Sequence, residues 1–236
     1  MSKFGLTINE DARKLSVKEL QLYLSEYGVI AFRNQELSDQ EYIKVMESFG
    51  PLLNYSQQRV SKDYVDPVHN TIILMHNKDF LGDSRENWHV DHPYLGPKNL
   101  PVRSLYSYSQ CDNDNQTEFA DLKYLSQCIL EKFPKARTAK VKYYSKTLMN
   151  FCVPYQFSQD VIVRYDPRMA FIDSNLSVSN ISNYALEILN SSNIPKWHID
   201  WQKYDLVIFD NNQAIHRRSK LAGEILHKRL TTNHWL

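Results

Sequence analysis

Strand-like segments run along almost the whole of this sequence without the strand–helix alternation of a parallel α/β sheet. Ile72 to Met75, Val102 to Tyr108, Ala139 to Tyr144, Val161 to Tyr165, Leu206 to Phe209 and Leu226 to Thr232 are short and rich in β-branched or aromatic residues. Pro and Asn/Asp clusters separate them. Val29-Ile30-Ala31-Phe32 is a further apolar run after a turn residue and reads as a buried strand. Helical patterns are few and crowd the first half. Ser16 and Glu19 form a capping box before Val17, Leu20, Leu24 and Tyr27, with Gly28 as the stop. Ser38 and Glu41 repeat the device before Tyr42, Val45, Met46 and Phe49, with Gly50 as the stop. A third pattern runs through Phe119, Leu122, Leu125, Ile129 and Phe133 to Pro134, and a fourth from Ser182 to Asn190. This distribution predicts a mainly β fold with flanking helices, an antiparallel barrel or the double-stranded β-helix of a jelly roll.

The 236 residues suffice for one domain, 1–236, with a sizeable core, and no repeat, low-complexity segment or linker divides them. The charges nearly cancel, 28 Lys+Arg against 27 Asp+Glu, so bulk charge points to neither nucleic acid nor a membrane surface. Cys111, Cys128 and Cys152 lie far apart and form no Cys-x-x-Cys pair, which argues against a disulfide framework or thiolate zinc site and for a reduced, cytoplasmic setting. The N-terminal residues show no basic segment followed by an apolar run, so no signal peptide is expected, and no stretch reaches the 18 apolar residues of a membrane helix.

The residues near position 90 carry the most specific chemistry. They read Asn87-Trp88-His89-Val90-Asp91-His92-Pro93. Side chains alternate along a strand, so His89 and Asp91 share a face and can occupy adjacent corners of an octahedron. The best third ligand is His216, which follows the buried segment Leu206 to Phe209 after a polar turn. Two imidazoles and one carboxylate leave three positions open, an arrangement suited to iron(II) oxygenases. The alternatives are a chance His-x-Asp pair on the surface and a histidine in a basic turn.

The chain resembles the taurine dioxygenase-like branch of the iron(II)/2-oxoglutarate dioxygenases. Gly28-Val29-Ile30-Ala31-Phe32-Arg33-Asn34-Gln35, with Leu37-Ser38 and Phe49-Gly50-Pro51-Leu52, is similar to its N-terminal signature. Trp88-His89-Val90-Asp91 matches its Trp-His-x-Asp motif, and Asp205 to Asn211 leading to His216-Arg217 matches its distal-histidine segment. The Trp197 to His216 segment also looks like carbapenem synthase and amino-acid hydroxylase relatives. The resemblance implies Fe(II), 2-oxoglutarate as co-substrate and O2, with oxidation of a C–H bond and release of succinate and CO2. It assigns the distal carboxylate of 2-oxoglutarate to Arg229, whose fork suits a bidentate contact, and to Thr117. Lys228 is the competing cation, but neighbours on a strand face opposite ways, so only one of the two can point inward. Arg229 could instead be a solvated edge-strand residue, and Thr117 a helix N-cap. Two departures stand out. Asp114-Asn115 replaces the usual Gly-Gly, and Asn233 stands where sulfonate-oxidising relatives carry a second arginine, which argues against taurine itself.

Asp91 fills the position that halogenating relatives leave to a small residue, so hydroxylation, desaturation or ring formation is expected. Asn77 and Arg217 are candidate substrate contacts, with Gln57, Gln58 and Arg218 behind them; Asn77 could equally form a turn before Lys78-Asp79. A polar small molecule, such as an amino acid or biosynthetic intermediate, is the expected substrate. The rival readings are a non-catalytic barrel that keeps the motif as a binding module, and a zinc hydrolase, for which no general-base glutamate stands beside a ligand. A homo-oligomer is left open.

Overall fold

The computed structural model describes residues 3–55, 64–76, 87–91, 93, 102–109, 115–143, 148–155, 158–172, 176–220 and 226–232. Two helices near the start form where the sequence places them. In α1 (Val17–Tyr27) the Ser16 hydroxyl accepts from the Glu19 amide, and the Glu19 carboxylate accepts from the Ser16 amide at 2.8 Å. Gly28 ends the helix at φ 70°, donating to the Leu24 carbonyl; a side chain there would meet Gln213 Cβ at 3.0 Å as well as the left-handed backbone. Ser38 and Glu41 form the same reciprocal box on α2 (Asp39–Glu47). Gly50 does not cap α2 directly, since the helix stops at Glu47 and Ser48 takes the cap.

Six strands make the larger sheet: β1 (Leu6–Ile8), β2 (Val29–Phe32), β3 (Ile73–His76), β4 (Val102–Ser107), β12 (Leu206–Asp210) and β14 (Leu226–Thr231). Their order is β1-β2-β12-β4-β14-β3, parallel at β1–β2 and antiparallel elsewhere. A three-stranded antiparallel sheet, β11 (Lys196–Asp200), β5 (Gln116–Asp121) and β13 (Ala214–Lys220), faces it. Val29, Ala31, Val207 and Phe209 from the larger sheet meet Phe119, Ile199 and Ala214 from the smaller one in the interior. This is a jelly roll, as the strand pattern predicts.

Both outer faces are covered. Leu20 and Leu24 of α1, Tyr42, Val45 and Met46 of α2, and Phe49 pack on Ile30, Phe32, Ile208, Tyr106 and Leu230 of the larger sheet. Ala120 and Ile215, on the outer face of the smaller sheet, join a second core with α3 (Leu122–Lys132), α4 (Val178–Asn190) and the short strands β6 (Lys140–Tyr143), β8 (Cys152–Pro154), β9 (Val161–Val163) and β10 (Met169–Phe171), while β7 (Leu148–Asn150) pairs with β6 at the edge.

The strands of the smaller sheet are not anticipated from the sequence, and neither are the short strands β1, β7, β8 and β10. Phe119 is an inward residue of β5 and not the first of a helix, because the Asp121 carboxylate caps α3 through the Lys123 and Tyr124 amides at 2.9 and 3.1 Å. The capping boxes give the first testable outcome. Ser38→Ala should lower stability by about 1 kcal/mol and Ser38→Gly by a few tenths. Urea unfolding measures both, and an unchanged midpoint for the alanine variant would remove the cap from the account.

Candidate metal centre

His89 and His216 are joined through their backbones. Each amide donates to the other's carbonyl, at 3.0 and 3.1 Å, in an isolated antiparallel bridge. Residues 87–91 form no strand beyond this bridge, yet the alternation holds. Trp88 and Val90 enter the outer core, while the His89 and Asp91 side chains turn toward His216. The imidazole centroids are 4.5 Å apart, and one ligand atom from each of His89, Asp91 and His216 lies within 4.8 Å of the others. His89 Nε2 is 3.8 Å from Asp91 Oδ1, and His216 Nε2 is 3.8 Å from Asp91 Oδ2.

Asn211 completes the frame, and the sequence names it only as part of a motif. Its carboxamide oxygen accepts from the Asp91 amide at 3.0 Å, and its NH2 donates to the Asp91 carbonyl at 2.7 Å. A side-chain amide thus stands in for the next backbone pair of a ladder. Asn211 sits fully buried in the β12–β13 turn, which Asp210 organises: its carboxylate accepts from the Asn212 amide, the Gln213 side chain and the Tyr155 hydroxyl.

The electrostatics suit a cation. Burial pushes the Asp91 carboxyl up, but Arg103, His216, Arg229 and His89 together hold it well below the usual carboxylate range. Burial, and then His89, push the His216 imidazole down to about 3, so it is neutral and its nitrogen lone pair is available at neutral pH. The His89 Nδ1 lies 2.8 Å from the Asn87 carbonyl; donation there leaves Nε2 free toward Asp91 and His216. Two imidazoles and a carboxylate fit a divalent transition metal.

A polar pocket continues from this cluster between the sheets. Along β14 the side chains of His227, Arg229 and Thr231 face inward, while Lys228 points outward to Asp39 of α2. Arg229 is close enough to Asp91 and His216 to act on both electrostatically. From the smaller sheet Thr117 projects inward, and its Oγ1 accepts from Trp201 Nε1 at 2.9 Å. That contact leaves the hydroxyl proton for another acceptor. The Trp201 ring packs on His227 at 4.2 Å, linking the two sheets. Arg229 Nε and His227 Nε2 are buried and have no hydrogen-bond partner among the described residues. Such groups call for an acceptor, and a carboxylate would supply one. Trp201 was missed by the sequence reading, since nothing in a single sequence joins it to Thr117.

Arg217 is a correction. It lies opposite Glu118 on the outer face of β13, donates to that carboxylate at 2.6 Å and covers the Trp88 ring at 4.7 Å. It therefore points away from His216 and braces the segment carrying His89. Arg218 is the neighbour that faces inward, opposite Thr117. Asn77, Gln57, Gln58 and Asn233 lie outside the described residues.

Asn211 yields a specific expectation. Partners that orient metal ligands typically matter by 10–100-fold in metal affinity, and Asn211→Ala should weaken Mn(II) binding by about that factor. Calorimetric titration measures it; unaltered affinity would show that Asn211 serves the fold alone.

Comparison with known proteins agrees with the fold. The structure of AAD-2 in complex with Mn(II) and N-oxalylglycine matches with a TM-score of 0.74 at 17% identity, over 99% of this chain and 96% of that one. A taurine dioxygenase from Burkholderia xenovorans matches at 0.73 and 13%, over 98% and 86%. PvcB from Pseudomonas aeruginosa matches at 0.68 and 14%, over 98% and 86%. A search of curated proteins finds no match. No described helix is long and apolar enough to cross a membrane. The model of the family described as "Taurine catabolism dioxygenase TauD, TfdA family" matches residues 3–147, more than half of the chain. The chain therefore belongs to the TauD, TfdA dioxygenase family and is an oxidoreductase that uses iron(II) and 2-oxoglutarate.

Proposed function

We propose that the chain, as one domain over 1–236, oxidises an unactivated C–H bond of a polar small molecule, such as an amino acid or a natural-product intermediate, most simply by hydroxylation. The observation that carries this reading is the convergence of His89, Asp91 and His216 within 4.8 Å, beside the inward-facing Arg229. The two histidines and the aspartate would hold iron(II). When bound, the iron would supply the chemistry that couples O2-dependent breakdown of 2-oxoglutarate to succinate and CO2 with oxidation of the substrate.

The chain's own residues bind and orient. Arg229 grips the distal carboxylate of 2-oxoglutarate, and the Thr117 hydroxyl, turned by the Trp201 N–H, donates to the same group. Phe119 and Phe209 pack against His216, at centroid distances of 5.8 and 5.0 Å, and shield the metal end of the pocket from water. The carboxylate at Asp91 fills the ligand position that a halide would need, so the reading excludes halogenation. The near-balanced charge and scattered cysteines support a cytoplasmic protein acting on a small molecule, without nucleic-acid or membrane partners.

Arg229 tests the co-substrate pocket. A charge-assisted contact contributes roughly 1.5–3 kcal/mol, and losing one partner in a buried site costs more. Arg229→Ala should therefore raise the Michaelis constant for 2-oxoglutarate by about tenfold to several hundredfold, and Lys should restore it only in part. Titration with 2-oxoglutarate while following succinate measures the effect. An unchanged constant would take Arg229 out of the pocket.

A further inference from the structure

Arg164, just past β9, is a buried cation with no anion beside it among the described residues. It is 1% exposed. The acidic residue nearest in sequence, Asp166, is gripped by Arg168 instead, whose Nε and Nη2 donate to its two oxygens at 3.0 and 2.9 Å. Burial pushes the Arg164 guanidinium down to about 10, so it keeps its charge at neutral pH. The group that acts against burial is the Tyr143 phenol, itself pushed up by burial and therefore neutral. A guanidinium is desolvated at high cost unless an anion matches it. The geometry shows which part of it is open. Nη1 donates to the Pro93 carbonyl at 2.8 Å and lies 3.9 Å from Met149 Sδ on β7. Nε and Nη2 are buried and have no hydrogen-bond partner among the described residues. Those two N–H groups form one edge of the guanidinium, the same edge by which Arg168 holds Asp166. It offers two parallel donors at the spacing of a carboxylate.

The main chain sets this edge beside the metal segment. The Val90 amide donates to the Tyr165 carbonyl at 3.1 Å. Pro93 stands two residues past Asp91, so their Cα atoms are at most about 7.6 Å apart. Met149 is half-buried on β7 and its thioether chain bends readily, so the wall beside Arg164 can give way to a ligand. We propose that the Nε/Nη2 edge of Arg164 is an anion subsite beside the metal segment, and that it takes the carboxylate of a small organic acid, the molecule this chain oxidises. The subsite stands on the geometry of Arg164; its assignment to the oxidised molecule rests on the function proposed above. It is separate from the 2-oxoglutarate contact, for which Arg229 and Thr117 come from other strands, β14 and β5. A carboxylate at Arg164 would satisfy both open donors at once and neutralise a charge that burial has cut off from water.

The probe is acetate, with acetamide as its neutral counterpart. Each is titrated at constant ionic strength into the chain holding Mn(II) and 2-oxoglutarate, so that Arg229 is already occupied, and the melting temperature is followed. Acetate should raise the melting temperature of the wild type, and acetamide should not. In Arg164→Met the acetate concentration needed for the same rise should be about tenfold to a hundredfold higher. Arg164→Lys should lie between, because an ammonium lacks the planar fork. Arg164→Gln gives the same comparison if the methionine variant does not fold. An equal response to acetate in wild type and variant, or an equal response to acetamide, would overturn the subsite. The assignment to the oxidised molecule is read separately, with iron(II). Small carboxylic acids that raise succinate release should need concentrations about tenfold or more higher in Arg164→Met, and their amides should raise it in neither protein. Stimulation unaltered by the substitution, or matched by the amides, would overturn that assignment. Absence of succinate release under every condition would overturn the proposed function instead, and the acetate titration would still decide the subsite.

Discussion

The site depends on a two-rung ladder that is only half backbone. His89 and His216 exchange amide–carbonyl hydrogen bonds, and Asn211 exchanges the next pair with Asp91 through its carboxamide. Without these four contacts the 87–91 segment would have no strand to belong to, and two of the three converging groups would lose their bearings. The ladder sits at the β12–β13 turn, where the chain passes from the larger sheet to the smaller, so one turn sets the distance between His216 and the His89–Asp91 pair. Asp210 stabilises that turn from inside, with its carboxyl pushed up by burial and held by Asn212, Gln213 and Tyr155.

Fold and site differ in how far the sequence exposes them. The strands of the larger sheet are legible because they are apolar: Val-Ile-Ala-Phe in β2 and Leu-Val-Ile-Phe in β12 are buried at every position. The smaller sheet is not legible because its inward positions are spent on chemistry. β13 reads Ala-Ile-His-Arg-Arg-Ser-Lys and carries His216 and Arg218 inward, which gives no apolar run. β11 is an exposed edge with only Ile199 buried. Phe119 lies in register with the apolar period of α3 and so imitates a helical residue, until the Asp121 cap is seen.

Within the site, the alternation argument for His89 and Asp91 and the opposite facing of Lys228 and Arg229 rest on local geometry, which a sequence carries. Asn211 and Trp201 rest on contacts over long sequence separations: 120 residues from Asn211 to Asp91, and 84 from Trp201 to Thr117. No spacing rule spans those distances. Arg217 fails for the converse reason, since its place beside His216 in sequence puts it on the opposite face of β13.

The interior is unusual in its charge. Arg103, Arg218 and Arg229 face it, with Asp91 at one end and the neutral His227 at the other, its imidazole pushed down to about 3 by burial and by Arg218. An interior so rich in cations suits a bound anion. The central claim, that His89, Asp91 and His216 hold one metal together, is tested most directly by X-ray absorption on the chain loaded anaerobically with iron(II). The account predicts one iron per chain, with two imidazole nitrogens and a carboxylate oxygen in its coordination shell, and one imidazole fewer in His216→Ala. A shell without histidine, or one unchanged by that substitution, would contradict it.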